Sequence, residues 1–215
     1  MLFLSLNTTS VAQFNTLRCA KPVFQVETES ETEALPMNEK KPVLERTGLS
    51  DYKKELDYDS LKASCLRKFS SVALPLQDLS LSSRFGLRTN PFTHEGKQQH
   101  NGIDLRAVVN SEVYAMFAGK VVKVDYDERS GNFVTLQHGD YMISFCHLTK
   151  ALVKSGDYVQ AGDLVAFSGN TGRSTGPHLH ITVRRKGDYV NPTILLNYIL
   201  DVRTEALQEL ARVID

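Results

Sequence analysis

The chain has 215 residues, of which 41% are hydrophobic and 23% are charged, and this predicts one folded domain with additional segments at its ends. Its 25 basic residues balance 25 acidic residues. No basic stripe interleaved with aromatic residues occurs, so a nucleic acid is not an expected partner. Three cysteines at unrelated spacings form neither a disulfide framework nor a thiolate metal site. No apolar run is long enough to span a bilayer, so no transmembrane segment is predicted.

The first 50 residues are predicted to be a targeting segment followed by a linker. Residues 1–12 are interpreted as an export signal whose true start lies further upstream, because the segment is apolar and Ser10-Val11-Ala12 has the small-x-small pattern of a cleavage site. No basic residue precedes the apolar run, which leaves an ordinary chain terminus as the alternative. Residues 13–50 are rich in Glu, Thr and Lys and are expected to form a flexible linker.

Residues 51–73 are predicted to form a short helix. Leu61, Cys65 and Phe69 follow helical spacing, and Ser60 is a candidate N-cap. One interpretation is a pro-segment that covers a functional groove. We favour the other, a helix packed on the outside of the domain, because no polar residue of this segment stands out as a group that would reach into such a groove.

Residues 74–192 have the pattern of an antiparallel β domain. Short apolar runs alternate with turns that carry Gly, Asp and Asn; the runs are 113–117, 121–124, 133–136 and 141–145. A Gly-Asp-x-Val pattern occurs twice, at residues 156 and 162, and predicts two tight turns in which Asp157 and Asp163 are turn residues. The predicted fold is therefore mainly β, an antiparallel sheet or distorted sandwich with a groove, flanked by short N- and C-terminal helices.

Residues 193–215 are predicted to be the C-terminal helix, docked on the back of the sheet. Apolar residues recur at helical spacing along this segment. Asp201 or Thr204 is a candidate N-cap for its last part.

Four of the six histidines fall in three short stretches, which are 100–104, 145–148 and 176–180. On a strand, His178 and His180 would share one face while Leu179 points to the other. His100 and Asp104 would also share a side if their segment is extended. Zinc in catalytic sites takes three ligands of this kind and leaves a fourth position open. Four histidines and one aspartate exceed the three ligand places, which favours a hydrolytic zinc site over a purely structural one.

Roughly half of the chain, from about Ser82 to Pro192, resembles the lysostaphin-type (LytM-domain) zinc metallopeptidases that cut cell-wall peptides. The resemblance is carried by motifs that agree in order and spacing with this family; they are Ser83-Arg84-Phe85-Gly86-Leu87-Arg88, His100-Asn101-Gly102-Ile103-Asp104, Gly131-Asn132-Phe133-Val134, His138-Gly139, Phe145-Cys146-His147-Leu148 and Ser168-Gly169-Asn170-Thr171-Gly172-Arg173-Ser174-Thr175-Gly176-Pro177-His178-Leu179-His180. Cys146 departs from the family pattern and could be sensitive to oxidation.

The resemblance implies a role for each of five residues. His100, Asp104 and His180 match the ligands of one Zn²⁺ ion. His147 and His178 match the two catalytic histidines, one acting as the base and the other stabilising the tetrahedral intermediate, in an assignment that the sequence leaves open.

Four other polar residues near these motifs are expected to line the groove or to have a structural role, and none is assigned to the metal or to catalysis. Arg88 and Asn90 are candidates to line the substrate groove. His94 is interpreted as an ordinary surface or core histidine, and His138 as support for a turn.

The implied function is a zinc-dependent metalloendopeptidase that hydrolyses peptide cross-links of bacterial peptidoglycan as a periplasmic or extracellular monomer. One alternative is a non-catalytic domain that binds peptidoglycan or activates another hydrolase. A second is a sugar-phosphotransfer component of related fold, which Asp104 and the His-x-His pair disfavour. Because ligand histidines must be neutral, the metallopeptidase should lose activity in mild acid and in the presence of a chelator.

Overall fold

The computed structural model describes residues 48–214, and the side chains of residues 57–214. The predicted export signal at 1–12 and nearly all of the predicted linker at 13–50 lie outside the described residues. Within the described part, one helix precedes the strands along the chain and one follows them; these are α1 (Gly48–Ser70) and α2 (Thr193–Ile214). The strands are β1 (Leu81–Ser83), β2 (Gly86–Thr89), β3 (Lys97–His100), β4 (Gly102–Arg106), β5 (Glu112–Tyr114), β6 (Gly119–Asp127), β7 (Gly131–His138), β8 (Tyr141–Ala151), β9 (Tyr158–Val159), β10 (Leu164–Ser168), β11 (His178–Arg185) and β12 (Asp188–Val190).

Ten of these strands form one antiparallel sheet, and β2 and β3 form a separate hairpin. The main path through the sheet runs β1-β4-β11-β8-β7-β6-β9, with β10 joining β5 to β8 and β12 added beside β11. The central strands β8 and β11 are therefore bordered on both sides by hydrogen-bonded neighbours. The predicted mainly β antiparallel fold with helices at both ends is confirmed.

Strand β11 separates the core from the opposite face of the sheet. Leu179, Ile181 and Val183 are fully buried in the hydrophobic core, because alternate side chains of a strand point to the same side. His178 and His180 occupy the intervening positions and are only partly buried. The predicted opposition of Leu179 to the two histidines is confirmed.

Helix α2 packs against the sheet through one apolar face. Leu196, Ile199 and Ala206 are its buried residues. Its N-terminus is capped by Asn191, whose Oδ1 accepts a hydrogen bond from the backbone N–H of Thr193 at 3.1 Å. The predicted caps Asp201 and Thr204 are wrong, because the helix continues unbroken through both positions.

Helix α1 contacts α2 rather than the groove described below. The ammonium group of Lys68 lies 3.1 Å from the carboxylate of Glu205 and 3.0 Å from that of Glu209. The guanidinium carbon of Arg203 lies 4.2 Å from the centre of the Phe69 ring. Ser60, the predicted N-cap, lies in the interior of α1. These contacts agree with a helix packed on the outside of the domain.

The two Gly-Asp-x-Val turns form as predicted. Oδ2 of Asp157 accepts a hydrogen bond from the backbone N–H of Lys154, and Oδ2 of Asp163 accepts one from that of Gln160. The short strand β9 lies between the turns. Among the described residues, neither α1 nor α2 has a stretch apolar enough to cross a membrane.

Candidate metal centre

A groove of about 940 Å³ lies on the face of the sheet that carries His178 and His180. Its floor comes from the alternate residues of β11 and from the neighbouring strands β7 and β8. The hairpin β2–β3 and the loop between β10 and β11 also contribute to its lining. All five residues that the sequence assigns to the site line this groove.

Three of those residues bring one ligand atom each to a single point. His100 is the last residue of β3, Asp104 lies in β4, and His180 lies opposite Asp104 in the register of β4 and β11. Nε2 of His100 lies 3.2 Å from Oδ1 of Asp104 and 3.2 Å from Nδ1 of His180. Nδ1 of His180 lies 2.6 Å from the same Oδ1. A break in the strand at Asn101 separates His100 from Asp104, so the two residues occupy different strands instead of the single extended segment that their spacing suggests.

Gly102 makes this close approach possible. A Cβ atom at this position would lie 2.3 Å from the carbonyl oxygen of Ile181 and 2.8 Å from Cε1 of His180. Both separations are shorter than any van der Waals contact allows, so a side chain here would push His180 away from Asp104. The glycine between His100 and Asp104 therefore provides the room that the His180 ring occupies.

The hydrogen bonds of His100 fix which of its ring nitrogens is free. Its Nδ1 lies 2.7 Å from the carbonyl oxygen of Arg84. A carbonyl only accepts, so Nδ1 carries the proton and donates, and Nε2 presents its lone pair to the site. This is the arrangement in which a neutral imidazole can bind a metal ion.

The Asp104 carboxylate is kept ionised by its neighbours. Burial of Asp104 would raise the pKa of its carboxyl, but the hydrogen bonds with His100 and His180 outweigh burial and lower that pKa well below its usual range. Burial lowers the pKa of His180, which favours the neutral ring. A negative carboxylate beside neutral imidazoles is the charge state that a divalent cation requires of its ligands.

The donor set and its spacing fit zinc. Two imidazole nitrogens and one carboxylate oxygen are typical of catalytic zinc sites, and the three atoms lie within 4.8 Å of one another. Bonds of ~2.1 Å in a tetrahedron place neighbouring ligand atoms ~3.4 Å apart. The two separations of 3.2 Å made by His100 are close to this value. The third separation, 2.6 Å between Nδ1 of His180 and Oδ1 of Asp104, would have to widen by about 0.8 Å to hold the ion. The donor set therefore suits one Zn²⁺ ion after a small adjustment of this pair.

His147 reaches the site through a β-bulge. In the pairing of β7 with β8, Val134 lies opposite Phe145 while Asn132 lies opposite Leu148, so Cys146 and His147 share one position of the partner strand. His147 adopts a left-handed backbone with φ of 61°. As a result both bulge residues line the groove, while Phe145 and Leu148 on either side are fully buried in the core. The sequence gives no sign of this bulge.

The second nitrogen of each catalytic candidate is free to act on substrate. Nδ1 of His147 donates to the carbonyl oxygen of Thr171 at 2.8 Å, and Nδ1 of His178 donates to that of Gly176 at 2.7 Å. Both Nε2 atoms are therefore unprotonated in the neutral rings. Nε2 of His178 lies 3.6 Å from Oδ1 of Asp104, and the ring centres of His147 and His178 are 4.7 Å apart.

The electrostatics of this pair favour one proton at most. Burial lowers the pKa of His147 to about 4, and a positive charge on His178 acts in the same direction. Two imidazolium rings at a separation of 4.7 Å would repel each other. The His147 ring is consequently neutral and available as a proton acceptor near neutral pH.

Cys146 is not a reactive thiol. It is 4% exposed, and burial raises its pKa to about 12. Because the thiolate is the form that is oxidised, a thiol held protonated in this way is inert. The predicted sensitivity of Cys146 to oxidation is not supported.

Of the remaining residues singled out in the sequence, one lines the groove and the others lie outside its lining. Arg88 lines the groove. Asn90 instead stabilises the hairpin turn, where its Oδ1 accepts a hydrogen bond from the backbone N–H of Phe92 at 2.9 Å. His94 is exposed. His138 is buried at the end of β7, and its Nδ1 donates to the carbonyl oxygen of Ala118, so it ties two segments together as well as flanking a turn.

Sequence reasoning missed several basic residues of the groove. Arg129, Arg173 and Arg184 all line it. Arg184 could have been found, because it lies at an even spacing from His178 and His180 on the same strand. Arg129 and Arg173 lie in loops, where periodicity carries no information about direction.

Comparison with known proteins identifies the class of this domain. Residues 98–192 match the profile of Peptidase family M23. The chain thus carries a peptidase M23 domain of the LytM type, and the resemblance seen in its motifs is confirmed.

Curated relatives share this domain and are much longer proteins. The chain is 44% identical over 93 residues to the peptidoglycan DD-endopeptidase ShyA of Vibrio cholerae, an alignment that covers 43% of this chain and 22% of ShyA. It is 36% identical over 119 residues to the DD-carboxypeptidase/endopeptidase Mpg of Neisseria meningitidis, covering 55% of this chain and 27% of Mpg. The chain therefore spans less than a third of the length of these relatives.

Solved structures agree with the same assignment. A zinc-containing peptidase from Vibrio cholerae superimposes with a TM-score of 0.52 at 33% identity, covering 56% of this chain and 39% of that one. The catalytic domain of the antimicrobial peptidase lysostaphin from Staphylococcus simulans gives a TM-score of 0.51 at 28% identity, covering 55% of this chain and 92% of that domain. The latter match shows that the β domain alone corresponds to a nearly complete catalytic domain.

Proposed function

We propose that this domain is a zinc-dependent endopeptidase that hydrolyses peptide cross-links of bacterial peptidoglycan. The observation that carries the proposal is the convergence of His100, Asp104 and His180 on one point of an open groove. Beside this point, His147 and His178 each present an Nε2 atom that carries no proton in the neutral ring. We assign the first three residues as ligands of a single Zn²⁺ and the other two as catalytic. When bound, zinc supplies a Lewis acid for a peptide carbonyl and for water.

The two catalytic histidines complete the chemistry. The Nε2 atom of one accepts a proton from the attacking water. That ring then becomes an N–H donor, able to hold the negative oxygen of the tetrahedral intermediate or to return the proton to the leaving amine. The carbonyl groups of Thr171 and Gly176 orient the rings and stabilise the protonated form through their hydrogen bonds to Nδ1. The residues of the chain thus supply both proton transfer and orientation.

The substrate class follows from the relatives. The curated relatives ShyA and Mpg are named as a peptidoglycan DD-endopeptidase and a DD-carboxypeptidase/endopeptidase. We therefore propose a cross-link between D-amino acids as the bond that is cut, and a location in the cell envelope outside the cytoplasm, where this substrate occurs. A monomer is sufficient, because all five site residues come from one chain.

The test is digestion of purified sacculi of known cross-link chemistry, followed by mass spectrometry of the released muropeptides. We expect a loss of dimeric muropeptides and a matching gain of monomers. Addition of a strong chelator should abolish this conversion, and added Zn²⁺ should restore it. His178→Ala serves as the inactive control. Unchanged dimers, or conversion that persists in the chelator and in His178→Ala, would contradict the proposal.

A further inference from the structure

The groove has an excess of positive charge. Five basic side chains and two carboxylates line it. Both carboxylates are already engaged, since Asp104 is bound by Arg88 and the histidines, and Oδ1 of Asp127 accepts hydrogen bonds from the backbone N–H groups of Arg129 and Ser130. Lys123 is paired with Asp125, outside the lining, at 3.2 Å.

Three arginines of the lining are left without an acidic partner. Among the described residues, no carboxylate lies within ion-pair distance of Arg129, Arg173 or Arg184. All three are exposed. A ligand in the groove can therefore supply the missing negative charge.

Arg184 is held in place at one end of the groove. It is four residues beyond His180 on the same face of β11, which places its Cα about 13 Å from that of His180. Its guanidinium carbon lies 4.3 Å from the ring centre of Tyr189, directly across the pair of strands β11 and β12, and it donates a hydrogen bond to the Tyr189 hydroxyl. Stacking on the ring covers one face of the guanidinium and leaves N–H groups at its edge free.

Arg173 is held in the same manner before the start of β11. Its guanidinium carbon lies 4.4 Å from the ring centre of Phe92, in the hairpin β2–β3. Its backbone N–H donates to the carbonyl oxygen of Arg129 at 3.2 Å, so the loops that carry the two arginines adjoin. The hydroxyl oxygen of the next residue, Ser174, lies 3.2 Å from Nδ1 of His178. In the register of β11 with β8, Arg184 lies opposite Met142. The backbone N–H of His147, five residues further along β8, donates to the carbonyl oxygen of Ser130, the neighbour of Arg129, so Arg184 and the pair Arg129 and Arg173 lie at different points along the groove.

A stacked guanidinium with a free edge is the arrangement that binds a carboxylate through two parallel hydrogen bonds. We propose, on the basis of the peptidase function above, that the groove selects peptides with free carboxylates on both sides of the scissile bond. Arg173 and Arg129 bind the carboxylate on one side, and Arg184 binds the one on the other. The preferred substrate class is an acidic, unamidated stem peptide, and amidation of its carboxylates removes the selection.

The experiment uses two synthetic cross-linked peptides that differ only in carrying free or amidated carboxylates. Their KM and kcat are measured with the zinc-loaded wild type, and their binding is measured with zinc-loaded His178→Ala by fluorescence polarisation. We expect the free acid to have the lower KM and Kd. Arg173→Gln and Arg184→Gln should each raise the KM of the free acid by up to about fivefold, the upper end of the range for exposed ion pairs. The KM of the amidated peptide should rise less than that of the free acid, and Arg184→Lys should recover part of the loss.

Arg185→Gln is the matched control. Arg185 follows Arg184 on β11, is exposed, and stacks on Tyr141 outside the groove lining, so its replacement should change neither KM nor Kd. Equal KM and Kd for the acid and the amide with the wild type would overturn the inference, as would an equal effect of Arg185→Gln. If neither peptide is cleaved, the peptidase proposal fails, and the binding measurement still decides the question of carboxylate selection.

Discussion

The guanidinium of Arg88 donates a hydrogen bond from Nη1 to Oδ2 of Asp104 over 2.9 Å. The other carboxylate oxygen, Oδ1, faces His100 and His180. Arg88 belongs to the hairpin β2–β3 and Asp104 to the main sheet, so this contact also joins the two sheets at the site. Arg88 also donates to the hydroxyl of Ser83, which restricts its side chain. Arg88 thus acts as a positioning residue that directs one oxygen of Asp104 towards the metal position.

Replacement of Arg88 by methionine should weaken zinc binding by about 10- to 100-fold, the range found when hydrogen-bond partners of metal ligands are removed. The carboxylate loses the partner that fixes its rotation, while its burial remains. Zinc affinity is measured by competition with a chromophoric chelator, which needs no substrate. Lys97→Met on the neighbouring strand β3 removes an exposed positive charge and should leave the affinity unchanged. Equal affinities for Arg88→Met and the wild type would show that Arg88 does not position Asp104.

Variants of the proposed ligands and of the proposed catalytic residues should differ in how much zinc they contain. His180→Ala and Asp104→Ala each remove one of three ligands, so the purified proteins should contain little zinc. His178→Ala should retain the metal and lose turnover, because its Nε2 lies 3.6 Å from Asp104 Oδ1 beside the ligand set without belonging to it. Elemental analysis of the metal and turnover of sacculi give the two readouts. The same zinc content in all three variants would contradict this assignment.

The sequence predicts most of the β domain because its signals are local. Strands β5 to β8 each overlap one of the apolar runs, and the alternation of Leu179 with His178 and His180 is predicted directly from residue type. Helix α2 is also predicted, at residues 193–215, but its N-cap is not. Its cap, Asn191, precedes Pro192, whereas Asp201 and Thr204 are equally good capping residues that happen to lie within a continuous helix.

The parts of the site that the sequence could not predict depend on contacts between distant strands. The bulge at His147 is defined by the pairing of β8 with β7, and only this pairing shows that Cys146 and His147 point to the same side. The contact between Arg88 and Asp104 likewise crosses from one sheet to another. Spacing along the chain gives the identity of the groups in the site but not the side chains that hold them in place.

The loop that orients His147 should be sensitive to a single methyl group. Gly172 has φ of 70°, and a Cβ atom there would lie 2.2 Å from the backbone nitrogen of Gly131. Gly172→Ala should therefore shift Thr171, whose carbonyl accepts from His147, and lower both kcat and the free energy of unfolding. Gly96 has nearly the same φ, 71°, with open space around it, so Gly96→Ala carries only the backbone strain of about 1–2 kcal/mol. Urea unfolding and turnover of both variants are compared, and equal losses would show that the contact with Gly131 has no effect.

The stability of the domain should fall in mild acid, in part through His138. This ring is buried, its Nδ1 donates to Ala118, and it contacts the edge of Phe117. Burial lowers its pKa below the ordinary value of 6.5. Between the lowered pKa and 6.5 the unfolded chain binds a proton that the folded chain does not, so the free energy of unfolding decreases as the pH falls through this window and recovers as the pH rises.

His138→Asn should isolate this contribution, because asparagine can still donate to Ala118 and does not titrate. The variant should be less stable than the wild type near neutral pH, where it loses packing against Phe117. Its further loss of stability between about pH 7 and about pH 5 should be smaller than that of the wild type. Urea unfolding is measured with a chelator present, so that metal binding does not contribute to the pH dependence. His94→Asn replaces an exposed histidine and should follow the wild-type curve. If His138→Asn and the wild type lose equal stability over this range, His138 is not a source of the acid sensitivity.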